Sequence, residues 1–111
     1  MDPLANYRQI MERILTEYSL IPYSFGELER KLIIDRASNH YLLMTVGWEG
    51  KKRAHGCLVH LEIIDGKIWV QRDGTEDGIA TELVAAGIPK DSIVLAFHPP
   101  YVRPHTEFAV G

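Results

Sequence analysis

A chain of 111 residues holds one domain and is too short for two ordinary ones, so its function has to be built on a single core. Hydrophobic residues at 46% and charged residues at 24% give the balance of a folded globular protein and exclude a disordered one. The formal net charge is -3, and residues 56–111 carry four Lys/Arg against eight Asp/Glu; this argues against a protein that grips DNA unaided, because phosphate neutralisation needs a basic face.

Asp2 is placed to cap a helix with Pro3 at its first position, and Leu4, Tyr7, Met11, Ile14 and Tyr18 then recur at steps of three and four. Ile10 and Leu15 widen the apolar stripe, so this amphipathic helix is expected to pack on a sheet and to stop near Ser19, ahead of Pro22. The opening lacks the basic start and apolar run of a signal peptide, and no stretch approaches the length that spans a bilayer. A cytoplasmic, non-membrane protein is expected.

From Glu27 to Arg72 the pattern turns β-like, with four strands separated by turn formers. The first covers about Leu28 to Asp35, with Leu28, Leu32 and Ile34 on one face; Ala37-Ser38-Asn39 leads into the second, about His40 to Trp48. Glu49-Gly50-Lys51 turns into the third, about Arg53 to Ile64, where Cys57, Val59, Leu61 and Ile63 alternate with Leu58, His60, Glu62 and Ile64. Asp65-Gly66 matches a two-residue type I′ hairpin, whose central residues both need positive φ, so Lys67 to Arg72 forms a fourth, antiparallel strand.

A second helix is expected to begin near Thr75, with Glu76 and Asp77 at its positive end and Ile79, Leu83 and Val84 facing inward. Gly87 stops it, Ile88-Pro89 follows as apolar contact and breaker, and Ile93 to Phe97 supplies another short strand or extended segment. From His98 to Gly111 the chain is proline-punctuated and irregular. The fold class is therefore α+β: an antiparallel four- to five-stranded meander with an N-terminal and a C-terminal helix packed on one face. The other face, with Trp69 or its neighbours, is left as a surface for a second copy or a partner.

Five histidines, His40, His55, His60, His98 and His105, are the residues most able to ligate a metal or move a proton, but their spacing specifies no site. Arg72-Asp73-Gly74-Thr75-Glu76-Asp77 sets three carboxylates beside an arginine at a strand-to-helix junction; those carboxylates also suit a helix cap, and the glycines match no phosphate-binding loop. Cys57 is the single cysteine, so no intrachain disulfide forms; its place in register with Val59 and Leu61 makes it a small core residue and not a nucleophile. Ser24, Ser38 and Ser92 lie in no nucleophile-elbow context. Lys51-Lys52-Arg53, with Trp48 nearby, reads as a solvated hairpin tip before it reads as a nucleic-acid contact.

Gly47-Trp48, Gly50-Lys51-Lys52-Arg53, His55-Gly56-Cys57-Leu58-Val59-His60, Ile64-Asp65-Gly66-Lys67-Ile68-Trp69 and Gln71 to Ala80 together resemble the XisI family. Gly87-Ile88-Pro89-Lys90, Phe97-His98-Pro99-Pro100 and Phe108-Ala109-Val110 resemble its C-terminal part, and Tyr7-Arg8 with Tyr18 its first helix, so the likeness covers essentially the whole chain. This resemblance implies a cyanobacterial fdxN-element excision controlling factor that acts with a companion, XisH, in support of the site-specific recombinase XisF. It implies no cofactor and no catalytic residue. The expectation is a non-enzymatic accessory protein that binds an XisH-like partner, forms a homo-oligomer, and meets recombinase and DNA indirectly. The competing reading is a small enzyme or ligand-binding domain using the Arg72 to Asp77 junction with His98. Trp69, Arg72, Asp73, Glu76, His98 and Arg103 are the candidate ligand- or partner-binding residues.

Overall fold

The computed structural model describes residues 3–21 and 27–111, so the expected Asp2 cap, the Pro22 stop and Ser24 lie outside it. Helix α1 (Pro3–Ser19) follows the three-and-four spacing: Ile10, Met11, Ile14 and Leu15 are buried, and Leu4, Tyr7 and Tyr18 pack against the same cluster. Two polar links tie it to the loop ahead of His40. Arg8 donates to Asn39 Oδ1 from Nη2 at 3.1 Å and from Nε at 3.3 Å, and Arg36 pairs with Glu12.

Strands β1 (Glu27–Asp35), β2 (His40–Glu49), β3 (Lys52–Ile64) and β4 (Lys67–Asp73) form an antiparallel meander in the order of the chain. Asp65 at φ 49° and Gly66 at φ 79° make the two-residue β3–β4 turn with positive φ at both positions, as the Asp-Gly pair predicts. Tyr41 and Leu43 of β2, Val59, Leu61 and Ile63 of β3, and Ile68 and Val70 of β4 are buried at alternate positions. They form one cluster with the buried residues of both helices, and each fully buried Leu or Ile in it contributes about 2 kcal/mol.

The meander is interrupted twice. Leu43 pairs with Val59 and Met44 with Cys57, which leaves Leu58 as an extra residue in β3. His60 pairs with Arg72 and Leu61 with Val70, which leaves Gln71 extra in β4. The first bulge corrects the reading of Cys57 as a core residue. An inserted residue reverses the alternation, so Cys57 shares a face with its cross-strand partner Met44, while Leu58 packs on the core.

The expectation of a wholly antiparallel sheet is also corrected: β5 (Ile93–Leu95) runs parallel to β4, pairing Ile68 with Ile93 and Val70 with Leu95. Residues 74–92 are long enough for a crossover through helix α2 (Ile79–Ala85), which returns the chain to the starting end of β4. The helix begins at Ile79, not near Thr75, because Gly78 at φ 85° breaks the helical run just before it. Glu76 and Asp77 therefore precede the helix. Its end is as expected: Gly87 at φ 107° is left-handed, Gly87 N–H donates to Val84 O at 3.0 Å and Ile88 N–H to Leu83 O at 3.1 Å, and Ile88 is buried. The tail contains a 3-10 turn at Arg103–His105 and touches the sheet again where Ala109 N–H donates to Ile93 O at 2.9 Å. No helix among the described residues is long and apolar enough to cross a membrane.

Candidate functional site

The strand positions that alternate with the core carry Ile33 on β1, His40, Leu42 and Met44 on β2, His60 and Glu62 on β3, and Trp69 on β4; Ile33 is 48% exposed and the others are partly buried. None of these joins the core cluster. The β2–β3 register sets His40 opposite Glu62 and Leu42 opposite His60. This register depends on the Leu58 bulge, since without the extra residue His40 would face Leu61 and the polar positions of the two strands would separate onto different faces.

On this face the side chains form a connected polar row. His40 Nδ1 lies 3.0 Å from His60 Nε2, His40 Nε2 lies 3.4 Å from Glu62 Oε2, and Gln71 Nε2 donates to Glu62 Oε1 at 3.2 Å. The second bulge supplies that last contact, because Gln71 is the extra residue of β4. Burial and then the neighbouring His40 hold the His60 imidazole below its usual pKa against the pull of Glu62, so His60 is neutral at neutral pH with a lone pair to offer. One donor atom from each of His40, His60 and Glu62 lies within 4.8 Å of the others, which makes these three the group among the described residues able to hold a metal ion.

Of the six candidates singled out in the sequence, Trp69 and Arg72 are the cross-strand partners of Glu62 and His60, and the six divide between two regions bordering the row. On β4, between β3 and β5, Trp69 meets the guanidinium of Arg103, whose Cζ sits 5.4 Å from the ring centre, and Arg103 donates to His98 O at 3.0 Å and Ala96 O at 3.2 Å. The His98 ring lies against Phe97 at 4.6 Å. Arg103 thus straps the tail onto β4 and β5.

The others sit at the β4–α2 junction. Arg72 is exposed and donates to Cys57 O at 3.1 Å. The Asp73 carboxylate accepts from Thr75 N–H at 2.9 Å, Thr75 Oγ1 at 2.5 Å and Ile79 N–H at 2.7 Å, so it caps α2 from six residues upstream. Glu76 lines a cavity of about 520 Å³ with Tyr18, Arg30, Thr75, Asp77 and Glu82. Burial, followed by a hydrogen bond to Glu82, pushes the Tyr18 hydroxyl up to about 12. Among the described residues, no hydrogen bond, ion pair or ring contact joins His98 to the Arg72–Asp77 junction.

At the hairpin tip, the Arg53 guanidinium stacks over Trp48 at 5.1 Å and donates to Gly47 O at 3.2 Å. Of the five histidines, only His40 and His60 meet. Sequence spacing could not pair them, because the contact depends on cross-strand register and on the Leu58 bulge, without which their shared parity on the two arms of the hairpin would set them on opposite faces.

A family profile described as XisI protein matches residues 1–110. Among solved structures, a XisI-like protein from Anabaena variabilis ATCC 29413 superposes with a TM-score of 0.90 at 40% identity, covering 97% of this chain and 99% of that one. The fdxN element excision controlling factor XisI from the same organism gives a TM-score of 0.85 at 39% identity, covering 99% and 100%. No curated protein matches.

Proposed function

We propose, since this chain belongs to the XisI family, that it is a non-enzymatic accessory factor in site-specific DNA excision, acting in the cytoplasm by contact with an XisH-like partner. The observation that carries the reading is the sheet face opposite the core, where exposed Ile33 pairs with Leu42, and Met44 follows on the same face, beside the polar row. The reading takes both helices to lie on the other face, so that this one is left for a partner or a second copy. A net charge of -3 favours protein contact over direct duplex binding.

The test is co-expression with an XisH-like protein followed by co-purification. Ile33→Asp should abolish the complex while the far-ultraviolet circular dichroism stays unchanged, because a charge in a desolvated patch has no partner to offset its cost. A complex that survived Ile33→Asp, Leu42→Asp and Trp69→Asp alike would move the interface off this face. The cavity at Thr75, Glu76 and Asp77 favours the second reading, a ligand-binding domain, and soaking or calorimetric binding of small cations there would support it over the first.

A further inference from the structure

We propose that His40, His60 and Glu62 bind a zinc ion, with a fourth coordination position facing solvent on the open side of the sheet. The chemistry of the donors points to this ion: two imidazole nitrogens and one carboxylate oxygen match borderline-soft zinc, while magnesium and calcium favour sites made of oxygen alone. Three protein ligands with one position left over is the arrangement of an open zinc site, in contrast to the four-ligand closed kind.

Geometry supports the same ion. Zinc bonds of about 2.0–2.1 Å at tetrahedral angles set neighbouring donors about 3.3 Å apart. The separations here are 3.0 Å from His40 Nδ1 to His60 Nε2 and 3.4 Å from His40 Nε2 to Glu62 Oε2; each is near that distance, but they use different nitrogens of His40 and so do not describe one coordination sphere as they stand. The His40 ring faces His60 with Nδ1 and Glu62 with Nε2, so binding requires it to commit one nitrogen to the metal. With one donor from each residue already within 4.8 Å of the others, side-chain rotation on a fixed backbone closes the site.

The backbone is well suited to hold these positions. His40 and Glu62 are directly paired across two long strands, Leu42 and His60 are the next pair on the same face, and the Leu58 bulge keeps all the ligands on that face. An outer partner is present too. Gln71 donates to Glu62 Oε1, which fixes the carboxylate and leaves Oε2 turned toward His40. In the absence of metal the same groups satisfy one another as a hydrogen-bonded row, so the site costs the folded protein no unpaired buried charge.

The isolated full chain, stripped of metal and titrated with zinc chloride alone by calorimetry above the imidazole pKa, should take up one equivalent. His40→Ala and His60→Ala should each weaken binding by about a hundredfold or more, and Gln71→Leu, which removes only the outer partner, by about tenfold. His55→Ala and Cys57→Ala should bind as the parent does. Cobalt(II) in place of zinc should give the intense visible bands of four-coordinate geometry, absent in His60→Ala. Should the alanine variants lose their circular dichroism signal, His40→Gln and His60→Gln replace them. Absence of stoichiometric zinc uptake, or uptake unchanged by both histidine substitutions, overturns the proposal. Because the partner is not in the experiment, either result leaves the contact reading of this face to its own test.

Discussion

Replacing Asp73 by alanine removes a cap that α2 cannot draw from its own first turn. The residue at the N-cap is Gly78, which has no side chain to offer, so the first-turn donor Ile79 N–H depends on Asp73 Oδ2 at 2.7 Å. Ile79 is fully buried, which denies that N–H an easy substitute in water. Loss of an N-cap costs about 1 kcal/mol, and stranding a buried donor costs about 1–3 kcal/mol. The two overlap, and together with the lost Thr75 contacts they set an expected destabilisation of about 2–3 kcal/mol, or about 10 °C in Tm for a domain of this size. Urea unfolding followed by circular dichroism should show the midpoint fall with the slope unchanged. Asp73→Asn keeps an acceptor but sets an amide against one of the N–H groups, and should fall between the two. A midpoint for Asp73→Ala within about 0.5 kcal/mol of the parent would refute the cap and leave the carboxylate available to a ligand.

Gly47→Ala should be more damaging still, because a Cβ built there lies 1.9 Å from the Glu27 carbonyl oxygen; a loss of several kcal/mol or failure to accumulate as soluble protein is expected in the same unfolding assay, and a neutral result would show that β1 can move aside. Tyr18, raised to about 12 against an unfolded value of about 10, contributes stability that is complete below about pH 10 and lost as pH rises through about 12. Ultraviolet titration of tyrosinate should show a late-ionising group that disappears in Tyr18→Phe; an unchanged curve would contradict it.

What could be read in the sequence was what local chemistry dictates. The Asp65-Gly66 turn and the Gly87 helix end were legible because each needs positive φ at a particular residue, and α1 because its stripe repeats over several turns. The start of α2 was misplaced because the group that caps it is six residues away, joined to it only by folding. The direction of β5 was missed for a related reason: a three-residue strand reads the same either way, and only the crossover decides. The bulges at Leu58 and Gln71 leave no mark in composition, yet one turns Cys57 off the core and both shape the row around His40. Family likeness was visible along the whole chain, whereas the meeting of His40, His60 and Glu62 was not, since it exists only once two strands are in register.

The parallel pairing of β4 with β5 also sets an order in time. Each of the first three strand pairs closes through a short turn and can form from residues near one another in the chain, at little cost in loop entropy. The β4–β5 pair cannot form until residues 74–92 have wound through α2 and reversed at Gly87, and Ala109 has nothing to pair with until Ile93 is in place. The hairpin that carries His40 and His60 is therefore an early product of folding and the C-terminal tail a late one. Pulse-labelled amide exchange during refolding should show Leu43 and Leu61 protected before Ala109, and simultaneous protection would mean that the sheet closes in a single concerted step.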